Sequence, residues 1–232
     1  NTFSEYEEEF IDTLIRQLQR YGLSVYSVHP MGTQFEPQLF SLYARQRKDA
    51  TAIFEQVLRA GRSMGATYYT MHGPGSMGGT AKNMELNRIG PIVKDLCQMA
   101  GEFGITLAWE NVSWCLYNYP EFGPRLLDAA NTGLLRFTLD IKQAARSGYA
   151  PLAYAEAMRG YIANVHICDY KMIAGQAVPM LPGKGECDFL ALHEQLKRMD
   201  YGGMITYEVY SDLYGDYNEL MESFAFVKNC FF

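Results

Sequence analysis

No stretch of about 20 apolar residues occurs in this chain, so no helical membrane span is expected. No cationic start followed by an apolar run opens it, so no secretory signal is expected either. Paired cysteines are lacking. Cys97, Cys115, Cys168, Cys187 and Cys230 are odd in number and none forms C-x-x-C, which fits reduced thiols in a cytoplasmic protein. Cationic charge is scarce: 20 Lys and Arg stand against 26 Asp and Glu, for a formal net charge of −6. Nucleic-acid binders carry a basic balance or stripe. The short cluster Arg45-Gln46-Arg47-Lys48 reads instead as a solvated helix start, so no nucleic-acid partner is expected. Apolar residues are plentiful, at 48% hydrophobic and 14% aromatic over 232 residues. That suffices for one large core, and a single α/β domain over residues 1–232 is expected.

Two textures alternate along the chain. Short β-branched or aromatic runs predict strands over residues 23–29, 67–72, 105–110, 134–140, 162–166 and 204–208. Longer periodic segments predict helices over 4–21, 49–64, 83–103, 120–130, 151–158, 188–199 and 216–229. In the first helix Phe10, Ile11, Leu14, Ile15 and Leu18 share a face. Ser4-Glu5-Tyr6-Glu7 fits a capping box and Gly22 a left-handed stop. Gly90-Pro91 either kinks the third helix or marks its start. Strands alternating with helices imply parallel pairing, and nearly continuous apolar strands imply burial on both faces. A doubly wound sheet and a β/α barrel both satisfy this.

The strand ends favour the barrel. They read His29, His72, Glu110, Asp140, His166 and Glu208, roughly 26 to 43 residues apart, near the ~30-residue repeat of a (β/α)8 TIM barrel. In a barrel such ends converge on one mouth; in an open sheet they spread along a line. Six strands are visible where a barrel needs eight. The expectation is that the first strand, helix and strand are absent from the given chain, the alternative being a barrel that is open or completed in trans.

Three carboxylates at one mouth repel, and a divalent cation removes the repulsion. Glu110, Asp140, His166 and Glu208 offer three oxygen donors and one imidazole, a set that suits one Mn²⁺, Mg²⁺, Co²⁺ or Zn²⁺. Taken singly, each has a blander reading as scaffold or solvated charge.

These residues also carry a resemblance. Leu107-Ala108-Trp109-Glu110-Asn111, Phe137-Thr138-Leu139-Asp140, Asn164-Val165-His166-Ile167-Cys168-Asp169, Leu181-Pro182-Gly183-Lys184-Gly185 and Ile205-Thr206-Tyr207-Glu208 follow in order. Over essentially its whole length the chain resembles the xylose isomerase-like barrel superfamily of sugar isomerases and epimerases, with endonuclease IV as a relative. The resemblance implies that the four matching residues bind one divalent metal and that Glu110 and Glu208 also transfer protons. Lying three visible strands apart, these glutamates are expected on roughly opposite sides of the mouth. A proton taken from one face and returned to the other gives epimerisation; moved to the neighbouring carbon, it gives isomerisation. The expected ligand is a small sugar, sugar phosphate or keto-acid.

Several residues keep more than one reading. His29 and His72 either contact substrate hydroxyls, join Glu110 at a second metal, or orient the metal ligands. Asp169 and Lys171 bind substrate or form a surface pair. Lys184 meets an oxyanion or is a solvated loop lysine. Trp109, Trp114 and Tyr117 wall a sugar pocket or are core. Loops 73–83 and 211–216 are expected to set specificity, and a homodimer is compatible with the aromatic load. Two alternatives of other classes stand beside the isomerase: an endonuclease IV-like phosphodiesterase acting on DNA, and a non-catalytic ligand-binding barrel. The nuclease needs histidine where Gln143 stands, and an Asp-x-His pair that Met180-Leu181-Pro182-Gly183 does not contain. Gln143 also departs from the common epimerase pattern, which has histidine there, and is a candidate substrate contact.

Overall fold

The structure, a computed structural model, describes residues 4–76 and 82–232, with the side chains of the second segment described from residue 86. The central part of the expected specificity loop 73–83 therefore lies outside the described residues. In chain order the elements are α1 (Glu8–Arg20), β1 (Ser27–Val28), α2 (Glu36–Leu39), α3 (Ala44–Ser63), β2 (Tyr68–Met71), α4 (Lys82–Glu102) and β3 (Thr106–Glu110). They continue as α5 (Phe122–Ala130), β4 (Arg136–Asp140), α6 (Ile141–Arg146), α7 (Pro151–Ala157), β5 (Ile162–Ile167), β6 (Asp169–Ile173) and β7 (Gln176–Met180). The chain closes with α8 (Phe189–Arg198), β8 (Met204–Tyr207) and α9 (Tyr217–Phe231). Two compact units result, one of Asn1–Trp109 with Arg125–Arg136, the other of Glu110–Pro124 with Phe137–Phe232.

In the first unit β1 pairs with β2 and β2 with β3, all parallel, with Met71 opposite Trp109. Phe54 packs edge-on against Tyr69 and Phe40 against Trp109, so the helices cover the sheet with aromatic rings. β1 is two residues long where seven are expected. Leu23 is 62% exposed and Ser24 is exposed, so the first residues of the expected strand have little packing to gain by joining it. The capping box does not form: Ser4–Tyr6 is a 3-10 turn, α1 starts at Glu8, and Glu7 at its N-cap makes no side-chain capping bond. At the other end Gly22 has φ +63°, and Leu23 N donates to Leu18 O at 2.9 Å, the expected left-handed stop.

In the second unit β4 pairs with β5 and β5 with β8, again parallel. Four of the five residues of β4, and five of the six of β5, are buried, as the continuous apolar runs imply. Tyr117, Phe137 and Tyr154 form a fully buried ring cluster, with Tyr117 edge-on to Phe137. Two features lie outside the sequence expectations. α6 follows Asp140 without a loop. An antiparallel hairpin, β6 and β7, stands between β5 and α8 and closes through Ala174 (φ +49°) and Gly175 (φ +81°). Two positive φ values mark a turn that sequence signals through Asn-Gly or Asp-Gly, not Ala-Gly.

α4 runs through Gly90-Pro91 without ending. A Cβ on Gly90 would stand 2.4 Å from the carbonyl oxygen of Ala129 on α5, so glycine is what lets these helices approach. Gly90→Ala should therefore destabilise the protein by about 1–3 kcal/mol, outweighing the ~1 kcal/mol that alanine contributes through helix propensity. A urea midpoint equal to or above that of the wild type would contradict this packing.

Candidate active site

The local fold assembles four side chains of the second unit. The register of β4 on β5 sets Asp140 directly opposite His166. Beyond β8 the Glu208 amide donates to Ile167 O at 3.0 Å, which holds Glu208 beside the end of β5. Glu110 is the last residue of β3. One ligand atom from each of Glu110, Asp140, His166 and Glu208 lies within 4.8 Å of the others. The side chains of Glu110, Asp140 and His166 are buried, and that of Glu208 is 32% exposed.

The carboxylates of Glu110 and Glu208 do not face each other across open space. Glu110 Oε1 and Glu208 Oε2 each lie 3.0 Å from the same nitrogen, His166 Nδ1. That nitrogen carries at most one proton, and Glu208 Oε2 is buried with no hydrogen bond among the described residues. Burial by itself would lower the His166 pKa, but the two glutamates hold it well above the ordinary histidine value. Burial pushes Asp140 up to about 7, with Glu110 and Glu208 adding to the effect against the pull of Lys142. Glu208 is held below the usual carboxylate value, because the His166 imidazole more than reverses the effect of burial. Among the described residues, the imidazole and the Lys142 ammonium are thus the cations beside three crowded carboxylates.

The donor set fits a divalent cation. Three carboxylate oxygens and one imidazole nitrogen within 4.8 Å of one another are donors that a divalent cation could take. A cation there would also satisfy the buried Glu208 oxygen that the single imidazole proton does not reach.

Neighbouring residues hold this cluster in place. The Asn111 side chain donates to Asp140 O and accepts from Asp140 N, both at 2.8 Å, so an amide stands in for a strand and ties the residue after Glu110 to Asp140. Asp140 is also the N-cap of α6, its Oδ1 accepting from Gln143 N at 2.7 Å. Gln143 Oε1 accepts from Ser113 N and Oγ. Asp169 is buried and accepts four backbone amides, from Tyr170, Gly183, Gly185 and Cys187. Its charge shapes the loop after β7, where a Cβ on Gly185 would stand 2.3 Å from Asp169 Oδ1. Lys184, on the same loop, is exposed, as are Lys171 on β6 and Trp114 on the loop after β3. Trp109 and Tyr117 are fully buried core. In the first unit the rings of His29 and His72 meet edge-on at 4.6 Å.

Two buried charged residues escape the sequence reading. Glu36 accepts from Tyr69 OH, His72 N and Gly73 N, fixing the end of β2. Burial raises its pKa. Lys142, with a side chain only 1% exposed, places Nζ 3.3 Å from Asp140 Oδ2 and donates to Tyr210 OH at 2.7 Å. Burial would lower its pKa, but Asp140 and Glu208 raise it, so it stays charged. No local signal marks it, because α6, the short helix that carries it, lies outside the sequence expectations.

The family described as xylose isomerase-like TIM barrel matches residues 2–230, and the chain belongs to it. No curated protein sequence matches the chain. Among solved structures it is similar to a D-tagatose 3-epimerase-like protein, with 20% identity, TM-score 0.75, and coverage of 97% of this chain and 85% of that one. It is similar to the IOLI protein with a bound zinc atom, with 16% identity, TM-score 0.77, and coverage of 98% and 81%. It is also similar to D-allulose 3-epimerase from Methylomonas sp. in complex with D-allulose, with 18% identity, TM-score 0.77, and coverage of 94% and 81%. At these identities the likeness shows the fold.

Asn111→Ala removes two buried hydrogen bonds and leaves the Asp140 backbone without them. A loss of about 2–4 kcal/mol is expected in chemical denaturation. A loss below about 0.5 kcal/mol would mean that the amide does not hold the two strand ends together.

Proposed function

We propose that this member of the xylose isomerase-like TIM barrel family is a divalent-metal-dependent sugar isomerase or epimerase. Its substrate would be a ketose, sugar phosphate or related keto-acid, with Glu110 and Glu208 as acid and base. One observation carries the reading: four ligand atoms from Glu110, Asp140, His166 and Glu208 lie within 4.8 Å of one another, three of the four residues being buried. Crowded buried carboxylates are costly to retain without a cation. The similar structures described as tagatose- and allulose-type 3-epimerases, and the one described with zinc, support the same class of substrate and cofactor.

A bound divalent cation would draw electron density from a substrate carbonyl and acidify the adjacent C–H. The rest falls to the protein. Glu208 is the more open of the two glutamates and is held ionised by His166, which suits it to accept the proton. Glu110, buried and with Oε1 3.0 Å from the same nitrogen, would return one from its protonated form. Return to the opposite face of the same carbon inverts it; return to the neighbouring carbon moves the carbonyl. Gln143, whose oxygen is held by Ser113, offers its amide N–H to a substrate hydroxyl. Trp114 and Lys184 are candidate outer contacts.

Purified protein should hold about one tightly bound divalent ion per chain; about three zinc ions would favour the phosphodiesterase instead. In heavy water, a panel of ketoses and keto-acids should include one that exchanges a carbon-bound hydrogen, and Glu208→Gln should slow that exchange by about 10²–10⁴-fold. Absence of exchange across the panel with metal-loaded protein would sink the reading.

Cation uptake should also depend on pH. His166 is held protonated well above its ordinary pKa in the metal-free site, so a cation must displace that proton. Apparent affinity should therefore rise with pH, by about tenfold per unit for each proton released, and level off above the metal-free pKa. Affinity independent of pH between about 6 and 8 would contradict this electrostatic account.

A further inference from the structure

We propose that Lys142 is a positioning residue: with Tyr210 it forms a buried strut that fixes Asp140 relative to the chain segment carrying Glu208. The inference rests on the reading of the four-residue cluster as a divalent-cation site. Lys142 is the second residue of α6, where the helix N-terminus disfavours a cation, and its side chain is only 1% exposed. Buried ammonium groups are expensive, and apolar replacements of similar size are often neutral or stabilising. A lysine kept at such a position therefore calls for a role beyond packing.

The contacts supply one. Asp140 Oδ1 is anchored by Gln143 N at 2.7 Å, and Oδ2 lies 3.3 Å from Lys142 Nζ. With both oxygens engaged, the carboxylate cannot rotate freely, so its orientation is set before any ligand arrives. The same Nζ donates to Tyr210 OH at 2.7 Å. Tyr210 stands two residues beyond Glu208, on the segment that follows β8. In the second unit β4 and β8 are each paired with β5 and lie on either side of it. Lys142 thus spans β5, joining the end of β4 to the chain beyond β8. Its nitrogen faces Asp140 and Tyr210 and is shielded from solvent, so it acts through Asp140 and not on a substrate directly.

A purely structural ion pair and a positioning strut differ in what their loss changes. The first moves the melting temperature and leaves cation affinity alone; the second moves cation affinity. Calorimetric titration of the full chain with Mn²⁺ alone separates them, using wild type, Lys142→Met, Tyr210→Phe and the double variant. Lys142→Met should weaken Mn²⁺ binding by about 10–100-fold, as loss of a partner of a metal ligand does. Tyr210→Phe removes one oxygen from a residue that is 40% exposed. It should weaken binding by about 3–10-fold with little change in melting temperature. The double variant should be no weaker than Lys142→Met, because both changes break one strut. If Lys142→Met does not fold, Tyr210→Phe decides alone. Equal Mn²⁺ affinity in wild type and the folded variants would overturn the strut. Failure of the wild type to bind any divalent cation would overturn the cation reading itself, and this inference with it.

Discussion

Three carboxylates meeting one imidazole, two of them and the imidazole buried, is the constraint that the second unit is built around. Glu110 and Glu208 both press on His166 Nδ1 at 3.0 Å, and Asp140 joins them within 4.8 Å. Like charges at such range cannot all remain ionised without compensation. The protein supplies it from several directions: the imidazole between the glutamates, the Lys142 ammonium behind Asp140, and the Gln143 amide on Asp140 Oδ1. Burial above all, with Glu110 and Glu208 adding to it, still pushes Asp140 up to about 7 against the pull of Lys142. A divalent ion is the group whose charge and donor preference match what is left over.

The surrounding polar side chains are arranged for rigidity. Asn111 pairs with the Asp140 backbone in both directions, so the end of β4 is held by side chain where strand pairing stops. Asp169, on β6, gathers the Tyr170 amide and three amides of the loop after β7, which leaves little freedom for the Pro182-Gly183-Lys184-Gly185 turn. Gln143 is braced by Ser113. A site held this firmly spends little free energy on reordering when a ligand binds, which is the general advantage of pre-organisation. Asp140 stands at the centre of the scheme, being at once strand terminus, helix cap and candidate ligand.

Much of this was legible in the residues themselves. Continuous apolar strands such as Phe137-Thr138-Leu139 announce burial on both faces, and Gly22 announces the stop it makes. The six strand ends could be read in order because each apolar run breaks at a charged residue or a histidine. Local signals failed where the deciding partner is distant in sequence. Leu23 lacks cover and its strand shortens; Ser4 yields its expected capping place to a 3-10 turn; Ala174-Gly175 closes a hairpin without a conventional turn pair.

The sequence by itself determined the alternation of parallel strands and helices and the identity of the four clustered side chains, because both follow from patterns within a few residues. Tertiary structure alone decided how those side chains face one another. That Glu110 and Glu208 converge on one nitrogen, that Asp169 turns inward to the loop after β7, and that Lys142 lies buried between Asp140 and Tyr210 are consequences of register and burial. These bring together residues dozens of positions apart, and no local pattern of charge or hydropathy records such distances.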